Sequence, residues 1–364
     1  MKLLLTTVLF FISLNIKALV CGLPATIAGV DYCPTSPLIQ TCSVDVPDAA
    51  GVLEPRYFCL SMPTIVEQAN AVFMFHGGGN TGKAMAKHWQ NQMADTFLIL
   101  PTAKFVGGKR KWNVVDKVVP NFFDLKPVRG HSDTEFIQTV LIEIEARLSC
   151  NQAAPPTPCI QNYYAAGFSS GAGMVFQLAT RNSFNNWFSG YGAVSNQVKP
   201  EMRQPTIGLT GNLTVPKLPV PIFYMVGTDE RINLPFEYIE NFISTNCLQP
   251  DFIEDSIECF GAGSIKNISS RRFDTAKWLR TTNFTTNPAI ITTYDDITDD
   301  TVITSQLYEP DPTVANAAAV WVGSVINGGH YWPSINTAKT DPVHSEDFET
   351  SDQMVDFWTT YAGY

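Results

Sequence analysis

The pentapeptide Gly167–Gly171, GFSSG, has the form G-x-S-x-G and stands between an apolar run, YYAA, and a helix-forming one, AGMVFQLA. A strand that turns sharply into a helix here lifts the Ser169 hydroxyl clear of the backbone, and the flanking glycines let the two segments pass closely. A hydroxyl is a poor nucleophile until a base takes its proton, and near neutrality that base is best supplied by histidine. The chain has five: His76, His88, His131, His330 and His344. In the order nucleophile, acid, base, the base comes last. That selects His330 in NGGHYWP, just past the last apolar run, while His344 lies in a charged tail, His88 on an amphipathic stretch and His76 in a glycine loop. The acid belongs between the two, directly after a strand, and VPIFYMVGTDERI offers Asp229 and Glu230. Asp229 is favoured because Ile232 falls where such a loop turns back into the core; Glu230 stays open.

A developing oxyanion needs preorganised amide donors. The amide of Ser170, next to the nucleophile, is one, and the second belongs to a loop after an earlier strand. HGGGNTGKA (His76–Ala84), behind the apolar AVFMF, can present the amide of Gly78, with Gly77 or Gly79 assisting. From Gly77 the same stretch reads G-x-x-x-x-G-K, nearly a phosphate-binding loop. The residue whose hydroxyl would hold magnesium in such a loop is Ala84, which has no oxygen to offer. Tyr331 and Trp332, beside the base, are candidates for the wall of a short acyl pocket. Core packing is the competing role for Trp332, as it is for Trp112.

Strands must hold these groups at one end of a sheet. RYFCLSMP, ANAVFMF, FLILPTA, QNYYAAGF, VPIFYMVG and AAVWVGSVING read as strands, with GKAMAKHWQNQMADT, SDTEFIQTVLIEIEARLS and GAGMVFQLAT as helices between them. Ser132 and Glu135 have capping-box spacing. The alternation predicts an α/β fold, a mostly parallel sheet with helices on both faces. Residues 19–55 read as an irregular, disulfide-tied segment. Residues from about 233 to 319, rich in Thr, Asn and Asp, read as an insertion over the sheet edge or the site, within a single catalytic domain spanning 19–364.

FHGGG, GFSSGAGM, GTDERI and above all GGHYWP resemble the secreted polyhydroxybutyrate depolymerase and feruloyl esterase family of α/β-hydrolases. SDTEFIQTVLIEI resembles the family's Asp-containing helix before the elbow, and KRKWNVV sets Trp112 where the family often has a tryptophan. The similarity runs from about Phe58 to Pro333. It implies the α/β-hydrolase fold, with Ser169 as nucleophile, His330 as base and Asp229 as acid. It also implies an ester substrate, polymeric in the polyester case, with a short hydroxyacyl polyester ahead of a feruloyl or acetyl ester, and a serine peptidase as the neighbouring alternative. The family's longer spacing in the acid loop keeps Glu230 in play, and the cysteine-rich start has no counterpart in it.

Composition bounds the remaining choices. A formal charge of −10 argues against nucleic acid and anionic membranes as partners. MKLLLTTVLFFISLNIKA has the positive start and short apolar core of a signal peptide over 1–18, too short for an anchor, which predicts a secreted or periplasmic protein. The eight cysteines fit that setting, with Cys150–Cys159 and Cys247–Cys259 as the local pairings. No C-x₂-C spacing suggests zinc, and no cofactor or metal is called for. Asn212, Asn267 and Asn283 each begin an N-x-S/T sequon.

Overall fold

The computed structural model describes residues 19–48, 51–64, 66, 68–92, 94–113, 133–151, 157–180, 187–196, 206–207, 213–214, 219–227, 279–280, 283–286, 290–295, 301–326, 328–334 and 349–364. Eleven strands make one sheet: β1 (Val20–Leu23), β2 (Ile39–Pro47), β3 (Leu53–Ser61), β4 (Ala69–Phe75), β5 (Thr96–Pro101), β6 (Ile160–Phe168), β7 (Phe188–Val194), β8 (Ile222–Gly227), β9 (Ile290–Tyr294), β10 (Val302–Tyr308) and β11 (Val320–Ile326). Their spatial order is β1-β2-β3-β5-β4-β6-β7-β8-β11-β10-β9. From β5 to β11 neighbours run parallel, whereas β3 pairs antiparallel with both β2 and β5. The stretch β2 to β11, with its β5–β4 reversal and one antiparallel strand near the start, is the α/β-hydrolase fold.

The central strands are apolar on both faces because both are covered. On β4, Ala71, Phe73 and Phe75 point into one core and Val72 and Met74 into the other. Helices α2 (Asp133–Arg147) and α3 (Ser170–Ala179) close the first face through Phe136, Ile137, Val140, Val175 and Phe176. The single turn α1 (Lys83–Ala86), the 3₁₀ segment after it (Lys87–Gln92) and α4 (Thr350–Tyr361) close the second through Met85, Trp89, Met354, Phe357 and Trp358. Each such side chain contributes on the order of 1.5–3 kcal/mol on burial.

Several elements differ from the sequence reading. The helix expected over GKAMAKHWQNQMADT is α1 followed by a 3₁₀ segment, Lys87–Gln92, broken at Trp89 (φ −130°, ψ 18°). Full burial of Trp89 against Trp358, with ring centroids 5.9 Å apart, takes precedence over helical continuity. The N-terminal segment is more ordered than an irregular tether, because β2 alternates buried Val44 and Val46 with less buried neighbours and joins the sheet. Its disulfides are Cys21–Cys42 and Cys33–Cys59. Cys159 is also disulfide-bonded, and Cys247 and Cys259 lie outside the described residues. The end of the expected insertion is sheet: β10 pairs antiparallel with β11, and β9 with β10. Residues 1–18 and 228–278 lie outside the described residues. Among those described, no helix is long and apolar enough to cross a membrane.

Candidate active site

β6 ends at Phe168 and the chain turns directly into α3, with Ser169 at φ 54°, ψ −119°. A non-glycine residue holds such a backbone only where its surroundings over-determine it. Here the Ser169 amide donates to the Val194 carbonyl (2.9 Å), and its own carbonyl accepts from Gly173 N (3.2 Å) and Asn196 Nδ2 (2.5 Å). The two glycines answer a close approach. A Cβ on Gly167 would lie 2.5 Å from the Gly171 carbonyl carbon, and one on Gly171 would lie 1.9 Å from the Phe75 carbonyl oxygen. The packing of β4, β6 and α3 therefore admits no side chain at either position.

The strained turn directs the Ser169 hydroxyl at the loop after β11, where His330 Nε2 stands 2.7 Å from Ser169 Oγ. That loop is braced on several sides. Gly328 N donates to Val325 O (3.0 Å), Tyr331 N reaches back to Gly329 O (3.1 Å), and Ser195 Oγ donates to Tyr331 O (3.2 Å). The Phe168 ring lies 5.0 Å from the imidazole, centroid to centroid. Ser195, at φ 60°, also donates its amide to Met225 O (2.8 Å), so one residue ties β7, β8 and the histidine loop together. Sequence reasoning overlooked Ser195 and Asn196; their position directly after a strand, in GAVSN, was the available signal.

Asp229 and Glu230 lie outside the described residues. β8, which leads to them, ends at Gly227, where a Cβ would lie 2.4 Å from the Gly328 carbonyl oxygen and 2.5 Å from that of Gly329. The strand end before the two acids thus rests directly on the backbone that carries His330.

The glycine loop after β4 adjoins the elbow. A Cβ on Gly77 would be 3.5 Å from Ser169 Cβ, and one on Gly78 would be 3.7 Å from Ser170 Oγ. The Ser170 hydroxyl is buried without a hydrogen-bond partner among the described residues. Gly79, at φ 86°, donates its amide to Arg110 O (2.7 Å). His76 is fully buried, and its ring fixes the loop: Nε2 accepts from Ala103 N (3.0 Å), so Nδ1 carries the proton and donates to Gly77 O (2.7 Å). Burial lowers its pKa to about 4. Trp112 Nε1 donates to His76 O (2.8 Å). Behind it, Asp133 accepts from Asn113 N (2.5 Å) and from Arg56 (2.6 Å), an ion pair buried on both sides. Asp133 is thus structural, joining the first turn of α2 to the segment that supports the glycine loop.

This arrangement removes the phosphate-loop alternative. Lys83 pairs with Asp31 (2.9 Å), its amide donates to Tyr32 O (2.8 Å), and Thr81 Oγ1 donates to Asp31 O (2.7 Å). The would-be phosphate groups are committed to the N-terminal segment. Trp332 is 3 % exposed and packs against His88 within the second core, the two rings tilted with centroids 5.2 Å apart, so it fills the interior and does not line an open pocket wall; Tyr331 beside it is partly exposed. His88, on the stretch that reads as amphipathic, is half-buried beside it. His344 and His131 lie outside the described residues. Among the described residues no cluster of three or more His, Cys, Asp or Glu side chains is arranged to hold a metal ion.

No family model and no curated protein matches the chain. Solved structures similar to it include an acetyl xylan esterase from Aspergillus awamori, at 10% identity over 84% of this chain and 94% of that one, with a TM-score of 0.41. An S-formylglutathione hydrolase from Agrobacterium tumefaciens is similar at 10% identity over 54% and 78%, with a TM-score of 0.37. Poly(aspartic acid) hydrolase-1 from Sphingomonas sp. KT-1 is similar at 12% identity over 63% and 82%, with a TM-score of 0.34.

Proposed function

We propose that the protein is a serine hydrolase of carboxylic esters, with short acyl and hydroxyacyl esters, including polyesters of the hydroxybutyrate type, as its substrates. The observation that carries this reading is the 2.7 Å contact between Ser169 Oγ and His330 Nε2 at a strained strand–helix turn. His330 takes the Ser169 proton as Oγ attacks the ester carbonyl, and the negative charge that forms on the carbonyl oxygen is met by the amides of Gly78 and Ser170. The imidazolium then gives its proton to the departing alcohol, leaving an acyl-enzyme. Water activated by His330 attacks the acyl group, and the acid leaves with the Ser169 hydroxyl restored. Asp229 is the proposed partner of the imidazole, with Glu230 the alternative at the same strand end.

Ser169→Ala and His330→Ala should each lower kcat by several orders of magnitude, since such groups act as a unit. A fluorophosphonate should label the wild type at Ser169. Folded variants that retain near wild-type turnover, or a wild type that resists labelling, would refute the assignment. Asp229→Asn and Glu230→Gln then separate the two acids, because the true partner should cost up to about 10⁴ in kcat. A panel of p-nitrophenyl acyl esters, hydroxybutyrate polymer, methyl ferulate and a peptide amide ranks substrates; preference for the amide would replace the ester reading with a peptidase.

A further inference from the structure

Between β3 and a short hairpin (Phe105–Val106 paired with Lys109–Arg110) lies an open cavity of about 100 Å³. Its lining includes Tyr32, Tyr57, Phe105 and Arg110, with Glu54 and Lys104 at one side. Glu54 is held by Lys104 in an ion pair, and Arg56, also in the lining, is committed to Asp133. Arg110 differs. Its guanidinium lies over the rings of Tyr32 (5.7 Å) and Phe105 (5.4 Å), and it has no carboxylate partner among the described residues. Lys109 and Lys111 flank it, so three successive cations stand at the end of this hairpin and just past it, in a chain of net charge −10. A guanidinium oriented by aromatic faces keeps its N–H fork available for a planar anion. The volume bounds the guest: about 150 Å³ accommodates benzene, so this cavity takes a carboxylate head and a few carbons, with any longer tail leaving through the open mouth.

We infer that this cleft is a second binding site, in which Arg110 holds the carboxylate of a short acyl or hydroxyacyl acid, the kind of product the proposed reaction releases. The identity of the acid rests on that reaction; the site itself does not. The cleft is wired to the glycine loop by two hydrogen bonds, Gly79 N to Arg110 O (2.7 Å) and Ala103 N to His76 Nε2 (3.0 Å). A bound acid therefore bears on the loop that faces Ser169 without occupying the elbow.

The test is calorimetric binding of 3-hydroxybutyrate, and of its neutral amide, to the full chain. Three proteins are compared: wild type, Arg110→Gln, and wild type treated with a fluorophosphonate. The acid should bind the wild type and the treated protein equally, Arg110→Gln should weaken it about tenfold or more, and the amide should not compete. Equal binding of acid and amide, or no effect of Arg110→Gln in a protein whose circular dichroism is unchanged, overturns the inference. So does loss of binding in protein shown by mass to be labelled at Ser169, because the acid would then be sitting at the nucleophile. If the reagent fails to label Ser169, the hydrolase reading fails, while the comparison of wild type with Arg110→Gln still decides the cleft.

Discussion

Acidification should act on the glycine loop through His76 before it acts on most of the fold. The imidazole is fully buried, and its Nε2 is an acceptor for the Ala103 amide. Protonation would set an N–H against an N–H at 3.0 Å and place a charge in a dry site. Folding lowers the pKa from 6.5 to about 4. The unfolded chain therefore takes the proton first, so this stabilisation is complete above pH 6.5 and is lost as the pH falls through 6.5 toward 4. At 1.36 kcal/mol per unit, the difference amounts to about 3 kcal/mol across that window. Other groups titrate in the same range, so the measurement is differential. His76→Gln keeps an acceptor near the Nε2 position and cannot titrate, and urea unfolding of both proteins at pH 7.5 and pH 4 gives the extra loss in the wild type. Equal pH dependence in the two proteins, or an NMR titration that puts the His76 pKa at 6 or above, would refute the reasoning.

Gly171→Ala should prevent formation of the elbow, since its methyl would meet the Phe75 carbonyl oxygen at 1.9 Å; a stability loss below about 1 kcal/mol by denaturant titration would contradict the packing described. Arg56→Met leaves Asp133 buried without its guanidinium and should cost about 3–5 kcal/mol in the same assay. Asn283 is fully buried with its Oδ1 accepting from Val220 N (3.0 Å), so folded protein from a glycosylating host should carry no glycan there, as peptide mapping would show.

What could be read from the sequence was what the chain determines locally. The nucleophile turn, the glycine loop and the histidine loop each owe their shape to a few adjacent residues, with glycines where two backbones nearly touch, and all three stand at strand ends as expected. Contacts across long sequence separations left no such signature. Arg56 and Asp133 are 77 residues apart and Ser195 and Tyr331 are 136 apart, and neither pairing is implied by anything near either partner. The pairing of Cys21 with Cys42 follows from their being opposite each other in the β1–β2 register, which a sequence does not display. Trp332 shows a different limit: an aromatic ring beside a histidine is visible in GGHYWP, but not the side of the loop to which it turns. α4 was missed because the polar stretch at its start masks Met354, Phe357 and Trp358, whose i, i+3, i+4 spacing marked a buried helical face.

The antiparallel pair β10–β9 changes the standing of β11. Were the sheet to stop at its last parallel strand, β11 would be a margin, bonded on one side only. Here it is bonded to β8 on one side and to β10 on the other, and the exposed margin passes to β9, with Ile291 facing solvent. Fraying begins at such margins, and amide exchange with solvent water is fastest there. Opening β11 would require breaking ladders on both of its sides, so its amides should exchange with the slowest class in the protein while those of β9 exchange early. The segment from which His330 projects, four residues past the end of β11, thereby starts from one of the least yielding strands of the sheet, and the hydroxyl–imidazole spacing at the elbow is insulated from motion at the edge.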